Sequence, residues 1–158
     1  MVEAILDGVV ALTAERALSH SERVFAADHG IAAEGVSPYP QAVTAQMVLN
    51  FIAGGAAINA FSGVAGVALE VVNAGVATPL PAHEQLIDLS IARGTRNFAH
   101  EPAMTRDQAL AALQAGAARV RHHAALGTNL IGFGEMGIAN TSAAACLMSR
   151  LCGVPIDA

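Results

Sequence analysis

The chain has 158 residues, of which 54% are hydrophobic, 4% aromatic and 13% charged, and its formal net charge is −5. This length accommodates one domain with a sizeable core, so we predict a single domain over residues 1–158. All eight basic residues are arginine and are outnumbered by acids, which disfavours a nucleic-acid-binding patch and excludes lysine chemistry.

The amino terminus predicts a helix over residues 3–18, with apolar side chains along one stripe. It has no signal-peptide pattern, since it opens with acids rather than arginines. Cys146 and Cys152 match neither a metal-site spacing nor a disulfide framework. We therefore expect a cytoplasmic protein whose thiols are reduced.

The first half of the chain then alternates strands with helices. Residues 23–27 are a short apolar run that predicts a buried strand, and residues 28–30 predict the turn after it. Two helices over residues 43–53 and 56–64 follow, and residues 68–72 predict the second strand.

An uncharged stretch, residues 35–69, is long enough to span a bilayer. Prolines and polar residues interrupt its first two thirds, and Gly54-Gly55 divides it. Its most apolar part consists mainly of glycine and alanine, which contribute little to transfer into lipid. We therefore predict a buried helix pair and no membrane span.

The second half predicts a long loop, two strands and two helices. Thr105, with Gln108 three residues later, forms a capping box at which a helix begins. The predicted elements are a loop over residues 78–101 around a strand at 86–91, a helix over 106–126, a strand over 129–133, and a last helix that Thr141 or Ser142 caps and that ends near residue 151.

Strands that alternate with helices predict crossover connections, and therefore a parallel α/β sheet flanked by helices in a Rossmann-like three-layer core. In such sheets the ligand crevice lies outside the carboxyl ends of the strands. Three unusual sequences fall at those ends, namely AADHG, VNAGV and GFGEMG. We therefore expect Asp28, Asn73 and Glu135 to face one shared crevice.

Residues 132–137 match the G-x-G-x-x-G pattern of dinucleotide-binding turns. That interpretation requires a further strand ending in an acid, and it sets the Glu135 carboxylate beside a pyrophosphate, so both points disfavour it. The alternative takes residues 134–142 as one loop, followed by a helix whose free N–H groups favour an anion.

Polar side chains at the strand ends are candidates for chemistry, and each has a plainer alternative. Glu135 could accept a hydrogen bond from a ribose hydroxyl or an azole N–H, or be a solvated turn acid. Asp28 and His29 suit a catalytic cleft, but Asp28 could instead cap a turn while His29 packs half-buried. Arg93 and Arg96 could bind phosphate or carboxylate, or be solvated or ion-paired. No zinc-protease or hydrolase-elbow motif occurs.

Five segments, in order, resemble the first half of nicotinate-nucleotide–dimethylbenzimidazole phosphoribosyltransferases. They are VFAADHGIAAEGVSPYPQAVTAQMV, NFIAGGAAIN, VVNAGVATPLP, RGTRNFAHEPAMTRDQALAAL and GFGEMGIANTSAAA, and the match runs over residues 23–153. The resemblance implies transfer of the phosphoribosyl group of nicotinate mononucleotide to 5,6-dimethylbenzimidazole in cobalamin lower-ligand synthesis. The products are α-ribazole phosphate and nicotinate. It also implies a dimer that needs no cofactor and no metal.

The resemblance implies site residues as well. Glu135, as an auxiliary catalytic group, matches a loop beside the ribose phosphate and the azole, and residues 37–47 match the benzimidazole pocket. Tyr39 and Met47 stand where some members carry serine and glutamine, which leaves the accepted base open. The implied substrate-binding residues are Asp28, His29, Ser37, Tyr39, Gln46, Met47, Asn73, Met136, Gly137, Asn140 and Thr141.

Two features of the family are absent from this sequence. Its members are considerably longer, and their main carboxylate base and phosphate-binding lysine lie in the second half. We therefore expect either a fragment of the enzyme or an enzyme half that a second chain completes, with an inactive truncated homologue or interaction domain as the alternative. The charged fraction is below the ~25% usual in soluble domains, so we expect an apolar face to pack on a second copy, as a homodimer, or on missing chain.

Overall fold

The computed structural model describes residues 19–156, so the predicted helix over residues 3–18 lies outside the described part. Strands and helices alternate along the described residues, which confirms the predicted order. The elements are β1 (His20–Ala27), a short 3₁₀ helix (Gly30–Glu34), α1 (Ala42–Ile52), α2 (Ala57–Ala65), β2 (Ala68–Gly75), β3 (Leu86–Asp88), α3 (Arg106–Ala125), β4 (Leu130–Met136) and α4 (Asn140–Cys152).

The strands form one parallel sheet in the order β3-β2-β1-β4. The same order occurs within the doubly wound sheet 3-2-1-4-5-6, whose chain starts in the middle, builds one half and then crosses to the other. The predicted α/β fold with a parallel sheet is therefore confirmed. The topological switch point lies between β1 and β4, and ligands bind at the carboxyl ends of such strands.

The end of β4 differs from the prediction. This strand runs to Met136, so Glu135 and Met136 belong to the sheet and the predicted loop over residues 134–142 is wrong for them. The register explains the difference, because Phe25 pairs with Glu135 and Ala26 with Met136. The ladder to β1 therefore continues through the glycine-containing segment, and the turn after β4 is short.

The apolar core lies on the face of the sheet that α1 covers. Side chains alternate between the two faces of a strand, so Val24 and Ala26 of β1 point towards the same face. They are buried in one cluster with Val48 and Phe51 of α1. Burial of one such larger apolar side chain contributes about 1.5–3 kcal/mol, so this face sets the orientation of β1.

The uncharged stretch forms two helices rather than one. By length and composition alone, with a mean hydropathy of 1.5, Ala42–Ala65 is apolar enough to cross a membrane. Gly54 interrupts it with a φ of +76°, a left-handed conformation that favours glycine, and α2 starts only at Ala57. The predicted helix pair is confirmed. The predicted burial of the pair is confirmed for α1 but is wrong for α2, where Phe61 and Val64 are exposed.

The opposite face of the sheet carries a buried ionic cluster where it meets α3. The side chain of Arg23 on β1 is 0% exposed, and its Nε lies 3.4 Å from the Glu70 carboxylate of β2. The same carboxylate accepts hydrogen bonds from Arg119 and lies 3.0 Å from Nε2 of His123. The sequence prediction interpreted residues 23–27 as an apolar run and missed this cluster, because its members are far apart in the chain.

This cluster lowers the pKa of Glu70. Burial raises the pKa, but the hydrogen bonds and charges of Arg119 and His123 together outweigh burial. A carboxylate with a depressed pKa stabilises the fold above its unfolded pKa, and the contribution is lost as the pH falls through the folded pKa. Glu70 therefore makes the stability of this domain sensitive to acid.

We expect Glu70→Gln to lower the free energy of unfolding by about 3–5 kcal/mol at neutral pH, because Arg23 then lies buried without a counter-ion. Urea unfolding measures the loss, which should shrink in acid, where Glu70 of the wild type is itself protonated. Glu101→Gln is the control, since Glu101 pairs with the partly exposed Arg96 and should contribute less than about 1 kcal/mol. Equal losses in the two variants would contradict the prediction.

Candidate active site

Asp28 connects three segments at the carboxyl end of the sheet. Its side chain is buried, and Oδ2 accepts a hydrogen bond of 2.8 Å from the backbone N–H of Ala77, just after β2. Its own N–H donates to the carbonyl of Gly75, and its carbonyl accepts from the N–H of Thr95, each at 3.0 Å. Asp28 thus holds the ends of β1 and β2 and the loop after β3 together.

His29, the next residue, faces the turn between β4 and α4. A Cβ at Gly137 would lie 2.9 Å from Nε2 of His29 and 2.3 Å from the carbonyl of Ala27, so only glycine permits this approach. The side chain of Asn140 hydrogen-bonds the ring. Burial lowers the pKa of His29, although Glu135, Asp28 and Asn140 act in the opposite direction. The ring is therefore mainly neutral at physiological pH.

The turn between β4 and α4 is held by α1. The buried hydroxyl of Thr44 accepts a hydrogen bond of 3.1 Å from the N–H of Ile138. The next residue, Ala139, has a φ of +70° and is the one non-glycine residue of the described chain in the left-handed region. Such a conformation costs a residue with a Cβ roughly 1–2 kcal/mol, so the surrounding contacts hold the turn under strain.

The helix after this turn begins earlier than predicted. α4 starts at Asn140, and its N-cap residue, Ala139, makes no side-chain capping bond. The prediction that Thr141 or Ser142 caps this helix is therefore wrong, and Thr141 lies exposed in the first turn. No side chain caps this helix start, although the amides of Asn140 and Ser142 already donate to the carbonyls of Gly137 and Ala139, and its dipole favours a negatively charged group.

Two cavities open beside His29. The first, of about 240 Å³, reaches Asp28 and Gly75 at the ends of β1 and β2. The second, of about 620 Å³, extends from Asn140 along α4 to Arg150, and its lining is mainly apolar. Since His29 lines both, it stands between them. This arrangement suits a ligand with a polar part near the strand ends and an apolar ring against α4.

The loop between β3 and α3 covers both cavities and was missed as part of the site. Thr95 lines the two cavities and its hydroxyl accepts a hydrogen bond of 3.2 Å from the N–H of Gly30. Arg96 braces the loop internally, because its Nε donates to the carbonyl of Pro102 at 2.8 Å. The RGTRNFA segment was the available signal: sequence alone left its arginines as anion ligands, solvated groups or ion-pair partners, and Arg96 pairs with Glu101 at 3.1 Å.

Asn73 does not join the other strand-end residues. Its Oδ1 accepts hydrogen bonds from the N–H groups of Gly75 and Val76, and its Nδ2 donates to Asp88. It lines a separate cavity of about 240 Å³ beside β3. The expectation of one crevice shared by Asp28, Asn73 and Glu135 is therefore wrong, because Asp28 and Asn73 line separate cavities and β2 contributes Gly75 to the first instead. Glu135 lines neither cavity beside His29, although its charge acts on that ring.

The segment expected to line the aromatic pocket, residues 37–47, runs into the first half of α1. The hydroxyl of Ser37 accepts a hydrogen bond from the N–H of Tyr39, whose side chain is 65% exposed. Gln46 is exposed, whereas Met47 packs against the core, as does Met136 of β4. None of these five residues lines either cavity beside His29. Within residues 19–156, no group of three metal-ligating side chains lies together.

A doubly wound parallel sheet with a histidine and a helix start at its switch point defines an α/β protein that binds ligands at its strand ends. The model of a family described as phosphoribosyltransferase matches residues 4–158. The chain therefore belongs to the phosphoribosyltransferase family whose curated members are named nicotinate-nucleotide–dimethylbenzimidazole phosphoribosyltransferase. The resemblance inferred from the five sequence segments is confirmed.

Known relatives are longer than this chain. The enzyme of that name from Cupriavidus taiwanensis is 68% identical over 134 residues, which are 85% of this chain and 39% of the relative. The one from Vibrio cholerae is 48% identical over 134 residues, again 39% of its length. The crystal structure of CobT from Thermus thermophilus superposes with a TM-score of 0.82 at 50% identity, covering 87% of this chain and 42% of that one. The chain thus spans about two fifths of these relatives.

Relief of the strain at Ala139 can be measured. We expect Ala139→Gly to raise the free energy of unfolding or leave it unchanged, because glycine adopts a φ of +70° without a Cβ clash. Ala144→Gly, inside the same helix, is the matched control and should lower it by about 1 kcal/mol. Urea denaturation compares both variants with wild type. If Ala139→Gly cost as much as the control, the turn would not be strained.

Proposed function

We propose that this chain forms the ribose-phosphate side of a phosphoribosyltransferase site acting on nicotinate mononucleotide and 5,6-dimethylbenzimidazole. The products would be α-ribazole phosphate and nicotinate. The observation that carries the proposal is the position of His29, which meets Gly137 and Asn140 across the switch point of the sheet. The names of the relatives supply the two substrates.

The reaction is a displacement at the anomeric carbon of the ribose. A nitrogen of the benzimidazole attacks that carbon, the bond to the nicotinate nitrogen breaks with its electron pair, and nicotinate leaves with the configuration inverted. The azole proton passes to a carboxylate base. Glu135, exposed at the end of β4, serves as an auxiliary acceptor, and the main base is expected outside this chain.

Different groups around the switch point would bind different parts of the substrates. The start of α4 offers a helix dipole without a side-chain cap to the phosphate, and Gly137 leaves room for His29 beside it. His29, which is mainly neutral because burial lowers its pKa, can exchange a hydrogen bond with a ribose hydroxyl. The apolar cavity along α4 has the volume and lining for an aromatic ring, and the role of residues 37–47 in binding the base stays a prediction.

The cysteines and the exposed apolar side chains bear on the compartment and the assembly of this protein. Cys146 and Cys152 are both free, as in a protein of the reducing cytoplasm. The chain also leaves large apolar side chains exposed on α2 and α4, for example Phe61 and Leu151. We propose a cytoplasmic homodimer, or an assembly with a second chain, in which such surfaces are covered.

We expect nicotinate mononucleotide to raise the melting temperature of the chain. At a concentration of about 100 times the dissociation constant, binding adds roughly 2.7 kcal/mol to stability. His29→Ala should abolish the shift, because it removes the side chain between the cavities. His122→Ala, at an exposed histidine of α3, is the control and should keep it. No shift of the wild type with either substrate at millimolar concentration would refute a retained site.

A second candidate function is that of an interaction domain that requires a second chain. The observation that favours it is the set of large apolar side chains exposed on α2 and α4, among them Phe61 and Leu151.

An assay for α-ribazole phosphate separates the two functions. We expect little or no product from the chain alone, because loss of a general base typically slows a reaction ~10²–10⁴-fold. Addition of a polypeptide with the carboxyl-terminal remainder of a relative should restore it, and Glu135→Gln should reduce the restored rate. Full turnover by the isolated chain would exclude the interaction domain. No turnover in the mixture would exclude the enzyme half.

A further inference from the structure

The loop between β3 and α3 packs closely on the backbone at the ends of β1 and β2. A Cβ at Gly30 would lie 2.5 Å from backbone atoms of both Arg96 and Asn97, so only glycine permits this contact. A Cβ at Gly75 would likewise lie 2.8 Å from the carbonyl oxygen of Ala92. Because glycine has no Cβ, two backbones can approach each other closely at these positions. This side of the loop is therefore held by backbone packing.

A cluster of side chains joins the same loop to the last residue of the 3₁₀ helix. Oε1 of Glu34 accepts a hydrogen bond of 2.6 Å from Nδ2 of Asn97 and lies 3.0 Å from Nε2 of His100. Hydrogen bonds from Asn97 and His100 lower the pKa of Glu34, so its carboxylate is charged at neutral pH. These three residues, here called the Glu34 clamp, connect two segments that are distant in the chain.

The Glu34 clamp lies outside the two cavities beside His29. None of its three residues lines either cavity, and the side chain of His100 is 70% exposed. Their neighbours in the loop do line the cavities, since Thr95 and Met104 line both and Phe98 lines the second. A change at the clamp therefore reaches a bound ligand through the loop and not by contact.

The expected effect of the clamp is on the position of the loop rather than on global stability. Exposed charged pairs contribute little to the free energy of unfolding. Loops, however, open locally at a much lower free energy than the whole domain unfolds, so a small contribution changes how often a loop is open. The apparent affinity for a ligand falls in proportion to the fraction of molecules in the binding-competent state. Ligand affinity is therefore the quantity that reports on the clamp.

We propose that Glu34 is a positioning residue of the site: its carboxylate holds the loop between β3 and α3 in the place where Thr95 and Phe98 line the cavities. The ligand whose binding depends on Glu34 is nicotinate mononucleotide, and this identification rests on the proposed function. The clamp itself follows from the two contacts of Glu34 with the loop.

Glu34→Ala tests the proposal in two measurements. Without ligand, hydrogen exchange should become faster at the amide of Thr95, which donates to the carbonyl of Asp28 while the loop is in place, and stay unchanged along β1. By titration calorimetry, the affinity for nicotinate mononucleotide should fall by about three- to tenfold, because two hydrogen bonds to the loop are lost. The melting temperature of the ligand-free variant should change little, since Glu34 is partly exposed.

Two further variants separate positioning from a general structural effect. Glu34→Gln keeps an oxygen that accepts from Asn97, so it should recover much of the lost affinity. Glu84→Ala, at an exposed glutamate in the segment before β3, is the control and should change neither exchange nor affinity.

A double-mutant cycle connects Glu34 to its partner in the loop. His100→Ala alone should weaken nucleotide binding less than Glu34→Ala, because Asn97 still donates to the carboxylate. The two changes together should weaken binding no more than Glu34→Ala alone, since both remove the same contact. Additive losses would contradict the clamp.

The two measurements fail in different ways. Unchanged exchange at Thr95 in Glu34→Ala would overturn the inference, and so would faster exchange with an unchanged nucleotide affinity. A wild type that does not bind the nucleotide would refute the proposed function, and the exchange rates would then decide by themselves whether Glu34 holds the loop.

Discussion

The hydrogen bonds of Asp28 are the constraint on which the rest of the site depends. Three segments that are distant in sequence meet at this residue: the end of β1, the backbone at Gly75 and Ala77, and the loop at Thr95. A parallel sheet brings strand ends to one edge, but it does not by itself set the loops between them. The hydrogen bonds of Asp28 hold these loops in place. Because Asp28 is buried, breaking them would cost free energy.

The two faces of the sheet are stabilised differently. Val24 and Ala26 pack against α1 in an apolar core, whereas Arg23 points to the other face, where Glu70 compensates its charge. A buried ionic cluster contributes little net stability. Removing one of its charges, however, leaves another charge buried and unpaired, which strongly destabilises the fold. The apolar face therefore supplies much of the stabilisation, and the ionic face fixes how α3 lies on the sheet. His29 and the β4–α4 turn lie at the carboxyl end of the sheet, where its two faces meet.

The sequence predicted the secondary structure better than the site. The capping box at Thr105 and the break near Gly54 depend on neighbouring residues, and both were correct. The strain at Ala139 and the pairing of Glu70 with Arg119 depend on distant residues, and neither was predicted. Asn73 illustrates the limit, because its side chain is used by its own turn and points away from the cavity that its strand helps to form.

Periodicity, capping residues and glycines are local signals, and they were sufficient to predict a parallel α/β sheet. The resemblance of five segments predicted the family, and the strand-end sequences AADHG, VNAGV and GFGEMG predicted the region of the site. Only the tertiary structure decided that His29 lines two cavities and that the loop at Thr95 lines them as well. The physical reason is that side-chain direction and edge pairing depend on strand order, which adds contacts between residues that are remote in the chain.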